Sequence, residues 1–253
     1  MPVLDESILR HARLVDEAVA ELMERVRGAA ESVSAELAAK LATSIGEGGS
    51  PMVSGMEGDL RAALRNSDLF DALVEFVAGF NSQVHAFNDL RVEMGVPEME
   101  LNGEDVETLL SSGELALAAL EHVVDRVDHD FRQLVARGLG GASTAELVSG
   151  TIEVVARLSR VEPVARDQLF LWFRTLNNLS YRALEAAGHK LAYRYVGLSG
   201  KKKSRSFCEE LVAAGRSYSR EEVEAMSNDR VAGAFASAGG VACAHWWAAE
   251  LAA

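Results

Sequence analysis

Cysteine is scarce in this chain: Cys208 and Cys243 are the two in 253 residues, too few for a disulfide framework and suited to a reducing compartment. Proline is scarce as well, with 4 in all, so long helical stretches run without a break. No stretch approaches the roughly 18 consecutive apolar residues of a membrane span. The start, Met1-Pro2-Val3-Leu4-Asp5-Glu6, lacks the cationic opening and apolar core of a signal peptide, so a soluble chain made in the cytosol is expected. Positive charge is in deficit, 25 Lys+Arg against 38 Asp+Glu, for a net charge of −13. Phosphate repels such a chain, which confines any nucleic-acid contact to a local patch. Also missing are a Walker loop, a dinucleotide glycine fingerprint, a Gly-x-Ser-x-Gly elbow and a His-Glu-x-x-His zinc helix, so the enzyme classes built on them lose their basis.

What is present describes an ordered globular protein of one large or two modest domains, with 49% hydrophobic and 25% charged residues. The charge separates by region. Residues 1–160 carry 28 acids against 13 bases, a net of −15, and residues 161–253 carry 10 against 12, a net of +2. This divides the chain into an acidic helical region, 1–160, and a C-terminal module, 161–253. Between Glu185 and Glu209 there is no acid, while Lys190, Arg194, Lys201, Lys202, Lys203 and Arg205 fall in that stretch.

Apolar residues at Val15, Val19, Leu22, Val26, Ala29, Val33, Leu37 and Leu41 recur every three or four positions, which predicts one long amphipathic helix from about Asp5 to the Gly46–Pro51 loop. A second helix is expected over about 59–95, stopped by Pro97. A third is expected from the capping box Ser111-x-x-Glu114 to about Arg137, and a fourth from the box Ser143-x-x-Glu146 to about Arg160. Pro163 suits the first turn of a fifth. After residue 190 the pattern changes. Tyr193, Tyr195 and Val196 read as a short strand, Phe207 to Ala214 as a helix, and Ser219 as the cap of another. The fold class is therefore mainly α, a helical bundle with a small C-terminal α+β module.

Three groups of residues invite a chemical reading. His122, Asp125, Asp128 and His129 share a helix face, but no second ligand-bearing helix accompanies them, and a solvated face is expected. Cys208, Cys243 and His245 offer ligands that zinc favours, with His189 a candidate fourth, and are candidate metal ligands for a structural zinc; buried free thiols beside a hydrogen-bonded histidine are the alternative. A disulfide is expected only if the protein matures outside the cytosol. The basic residues Lys190, Arg194, Lys201, Lys202, Lys203 and Arg205, with Tyr193 and Tyr195 as a stacking surface, are candidates for binding DNA or another acidic partner; a solvated loop is the plain alternative.

The order Arg174-Thr175, Tyr193-x-Tyr195-x-Gly197, Arg205-x-Phe207-Cys208, Ser219-x-x-Glu222 and Gly239-Gly240-x-x-Cys243-x-His245-x-Trp247 resembles the tailed-phage minor head, or head-morphogenesis, proteins of the Mu F-like type, over about residues 170–250. Two places depart from that pattern: Lys201 stands where the family carries an acid, and Ala242-Cys243-Ala244-His245 replaces Asn-Cys-Arg-His. The resemblance implies a non-enzymatic virion component, present in a few copies in the head interior or near the portal and assembled in the host cytoplasm. Its expected partners are portal and capsid proteins, and packaged DNA through the basic patch. A zinc-dependent hydrolase or nuclease using Cys208, Cys243 and His245, and a non-viral helical adaptor, are the contrasting readings.

Overall fold

The computed structural model describes residues 2–43, 56–93, 101–197, 205–226, 234–239, 243 and 245–251. They form a mainly α-helical protein with a small three-stranded antiparallel sheet near the C-terminus. The helices are α1 (Pro2–Thr43), α2 (Asp59–Asn66), α3 (Leu69–Glu93), α4 (Gly103–Leu139), α5 (Thr144–Ala156), α6 (Val161–Ala186), α7 (Ser206–Ala214), α8 (Arg220–Ala225) and the single turn α9 (Ala234–Ser237); the strands are β1 (Leu191–Gly197), β2 (Ser217–Tyr218) and β3 (His245–Leu251). No helix among the described residues is long and apolar enough to cross a membrane.

The chain forms two compact units, one of residues 1–17, 78–116 and 165–253, the other of 18–77 and 117–164. Helices α1, α3, α4 and α6 each contribute to both, so the units interleave along the sequence. In the second unit the α1 stripe is buried as its spacing requires: Val19, Leu22, Val26, Val33, Leu37 and Leu41 are all nearly inaccessible. Ion pairs tie this helix to its neighbours. Arg25 meets Asp68 at 2.8 Å and also reaches Glu75, and Lys40 meets Asp59 at 3.6 Å while pairing within α1 with Glu36 at 2.9 Å. Such exposed pairs orient the helices more than they stabilise them.

Two helix boundaries differ from the sequence expectation. The single helix over 59–95 is α2 and α3, divided at Ser67, whose backbone is extended. The Ser67 hydroxyl donates to the Leu64 carbonyl at 2.7 Å and accepts from the Leu69 N–H at 3.3 Å, so one side chain ends the first helix and starts the second. Helix α4 begins eight residues ahead of Ser111, because Asn102 and Asp105 form their own reciprocal box: Asn102 Oδ1 accepts from the Asp105 N–H at 3.0 Å, and the Asn102 N–H donates to Asp105 at 3.3 Å. Ser111, Ser112 and Gly113 then lie inside a helix already nucleated.

The Ser143 box forms as read, its hydroxyl accepting from the Glu146 N–H and the Glu146 carboxylate accepting from the Ser143 N–H at 2.7 Å. The Ser143 hydroxyl, which also donates to the Glu146 carboxylate at 2.7 Å, and then the Ser143 N–H hold the Glu146 carboxyl below its ordinary range. Substituting Ser143→Ala is expected to lower stability by about 1 kcal/mol. Urea unfolding followed by circular dichroism checks this; an unchanged midpoint would show that the cap contributes nothing.

The sheet belongs to the first unit. Its order is β2-β1-β3, with Tyr193 opposite Tyr218 and, on the other side, Tyr193, Tyr195 and Gly197 opposite Ala249, Trp247 and His245. With a strand period of two, these residues share one face of the sheet. Against that face pack Tyr181, Cys208, Val223, Phe235, Ala238 and Cys243. Helix α6 is pinned to β3 by Tyr181, whose hydroxyl donates to the Trp247 carbonyl at 3.1 Å and accepts from the Ala249 N–H at 3.3 Å.

Candidate functional site

The sheet register delivers the first part of the site. Tyr195 and His245 lie diagonally on the same face, their rings parallel within 4° at a centroid separation of 5.4 Å. Gly197, directly opposite His245, makes room for the imidazole: a Cβ there would sit 2.3 Å from the ring's Cδ2. The second part comes from the N-terminal turn of α7, which carries Cys208, and from the segment leading into β3, which carries Cys243.

These groups converge. Cys208 Sγ and Cys243 Sγ are 3.7 Å apart, Cys243 Sγ is 3.5 Å from His245 Nδ1, and the Tyr195 hydroxyl lies 3.4 Å from Cys208 Sγ and 3.6 Å from Cys243 Sγ. The two sulfurs and the imidazole nitrogen lie within 4.8 Å of one another. Cys208, Cys243, His245 and Tyr195 are 2%, 6%, 7% and 2% exposed, so the cluster is closed to bulk water.

Gly239, just past α9, fits tightly against the sulfurs. Gly239 donates its N–H to Cys243 Sγ at 3.3 Å, and a Cβ on Gly239 would lie 2.2 Å from Cys208 Sγ and 2.9 Å from Cys243 Sγ. The preceding residue, Ala238, is buried with φ 45°, a left-handed conformation costing roughly 1–2 kcal/mol for a residue with a Cβ. That strain is held at the turn which sets the Gly239 N–H against the thiol.

Electrostatically the two cysteines are unequal. The Cys208 S–H hydrogen bond holds Cys243 as a thiolate far below the ordinary thiol range, at about 3, with the His245 and Tyr195 contacts acting the same way. Cys208 is pushed up by giving that hydrogen bond and by burial. Burial, and then the nearby thiolate of Cys243, push Tyr195 up. Arg174 of α6, 3% exposed, donates its Nε–H to the Phe170 carbonyl at 3.0 Å; burial pulls its guanidinium below the ordinary arginine range, and the charges of Cys243, Asp167, Tyr195 and Cys208 act the other way. A buried cation therefore faces a buried thiolate.

Of the sequence-derived residues, Cys208, Cys243 and His245 come together; His189, half-buried in the turn between α6 and β1, is not in the cluster. The side chain that stands beside the two sulfurs is instead Tyr195. Tyr193 and Tyr195 are 0% and 2% exposed, so neither ring is a stacking surface for bases. In the basic patch, Lys190 is exposed and Arg205 sits at the N-cap of α7, but Arg194 is paired with Glu250 at 3.1 Å. Lys201, Lys202 and Lys203 lie outside the described residues. On α4, His122, Asp125 and His129 are exposed as expected, with Asp125 paired to Arg61 at 3.2 Å. Asp128 is instead buried and paired with Arg132 at 2.6 Å. No family model matches this sequence, and no curated protein or solved structure is detectably similar to it.

Proposed function

We propose that the chain is a structural minor head protein of a tailed bacteriophage, docking on the portal or the capsid interior through its acidic helices and carrying a compact, non-catalytic C-terminal module. The observation that supports this reading is convergence. Residues separated by up to 52 positions that carry the resemblance, from Tyr195 through Cys208 and Gly239 to Cys243, His245 and Trp247, meet in one buried cluster. A shared structural core accounts for that spacing better than chance does. Burial favours a structural use over the hydrolase alternative, because a hydrolytic zinc keeps a coordination position open to water and substrate. Packaged DNA is proposed as a second partner, met through Lys190, Arg205 and the run Lys201, Lys202 and Lys203.

The test is association. Heads purified from the phage or prophage that encodes the chain are expected to contain it at a few copies per particle, and the chain is expected to co-purify with the neighbouring portal protein. Its absence from the particles, or the lack of any portal gene beside it, would refute the assignment.

A further inference from the structure

The donor set already described has the dimensions of a metal polyhedron. With Zn–S near 2.3 Å and Zn–N near 2.0–2.1 Å, tetrahedral angles place two thiolate sulfurs about 3.8 Å apart and a sulfur about 3.6 Å from an imidazole nitrogen. Cys208 to Cys243 and Cys243 to His245 match these at 3.7 Å and 3.5 Å, and Cys208 and His245 lie within 4.8 Å of each other, so closing the polyhedron asks for a shift on that one edge. An oxygen ligand at about 2.0–2.2 Å falls about 3.5–3.7 Å from each sulfur. The Tyr195 hydroxyl lies 3.4 Å and 3.6 Å from them.

The geometry points to a closed, structural zinc site in which Cys208, Cys243 and His245 supply three ligands and the Tyr195 phenolate oxygen supplies the fourth. Two thiolates and an imidazole form a soft-to-borderline set that selects zinc over magnesium or calcium. A disulfide is the competing use of two such cysteines, but it requires the sulfurs to approach to about 2.05 Å, and His245, Tyr195 and the Gly239 N–H would have no part in it. The phenolate is the unusual element, and the surroundings supply reasons for it. The four groups are buried, so no bulk water competes for the fourth corner, and Arg174 lies close enough for its positive charge to act on Tyr195 and both sulfurs. Two thiolates and one phenolate around Zn²⁺ leave one negative charge, which the guanidinium offsets. The Gly239 N–H steadies the Cys243 sulfur from outside the coordination sphere, as groups surrounding a metal site commonly do. The proposal is independent of the viral assignment: a zinc centre would hold this module together in any setting.

The test uses the full-length chain, reduced, stripped with a chelator and freed of it. Zinc is expected to bind at one ion per chain, to protect both thiols from a thiol reagent, and to produce a tyrosinate ultraviolet difference spectrum at neutral pH from metal-driven deprotonation of one phenol. Y195F should weaken zinc binding by more than the 10–100-fold that loss of a merely supporting hydrogen bond causes. The absence of stoichiometric zinc binding by the folded wild-type chain would overturn the site. Zinc binding with no tyrosinate signal would overturn the fourth ligand, and this readout needs no variant, so a Y195F chain that misfolds leaves the question decidable.

Discussion

Replacing Trp247 by Ala is expected to destabilise the C-terminal module by about 3–5 kcal/mol, a large share of the roughly 5–15 kcal/mol that holds a typical domain folded. Trp247 is 2% exposed and lies at the centre of an aromatic group, with ring centroids 4.8 Å from Tyr195, 5.6 Å from Tyr218 and 6.2 Å from Phe235. Truncation removes those contacts and leaves a cavity the sheet cannot collapse into, because Trp247 stands opposite Tyr195 across the β1–β3 ladder. It also removes the hydrogen bond from the Trp247 indole N–H to the Ala234 carbonyl at 3.0 Å, worth about 0.5–1.5 kcal/mol, while that carbonyl keeps its bond from the Ala238 N–H. Trp247→Phe should recover part of the packing but not that hydrogen bond, and should fall between the wild type and Trp247→Ala. Denaturant unfolding of the three proteins would show the order; equal midpoints for wild type and Trp247→Ala would mean that this cluster is not the module's core.

The second large effect is expected at Gly239. Alanine there adds one methyl group, which would lie 2.2 Å from Cys208 Sγ and 2.9 Å from Cys243 Sγ, well inside van der Waals contact. Either the loop withdraws, removing the Gly239 N–H from Cys243, or the sulfurs separate. Overpacking of this kind costs roughly 1–3 kcal/mol, and either relaxation breaks the cluster, so zinc binding should fall by orders of magnitude. The same substitution at Gly28 should act in the opposite direction. Gly28 is exposed within α1 with no atom within 4 Å of an added Cβ, and an interior helical glycine costs about 0.5–1 kcal/mol relative to alanine. Thermal unfolding should therefore place G28A above and G239A below the wild type. A G239A protein with wild-type stability and full zinc binding would contradict the packing described around the two sulfurs.

How much of this was legible in the sequence depended on whether the signal was local. The α1 stripe was plain, because a buried helical face repeats at a fixed interval regardless of what covers it. The Ser143 and Ser219 boxes were equally plain, since each is completed within four residues. Ser67 was less so: a lone serine in an apolar-periodic segment is tolerated in a helix or breaks it, depending on what its hydroxyl reaches. Asn102 and Asp105 form the same reciprocal cap as Ser and Glu in letters the pattern did not include. Strand β3 left no alternation, since Trp246, Trp247, Ala248 and Ala249 are all buried, one pair on each face of the sheet. Within the site, Cys243 and His245 announce themselves by their two-residue spacing, and Cys208 by being the one other cysteine in the chain. Tyr195 could be placed beside them only by the register of β1 on β3, a long-range property that no local window contains. Arg174, 34 residues ahead of Cys208, was visible as part of the resembling motif but not as the cation facing the thiolate.

The central claim is that the Cys208, Cys243, His245 and Tyr195 cluster is a closed structural centre rather than a catalytic one. Cobalt substitution tests this most directly, because the visible spectrum of Co²⁺ reports its coordination sphere where Zn²⁺ is silent. The full-length protein loaded with one Co²⁺ and titrated with excess azide or thiocyanate is predicted to keep its spectrum unchanged, all four positions being held by the chain. A saturable spectral shift on adding the anion would reveal an open coordination position, and with it the site of a metallohydrolase rather than a structural pin.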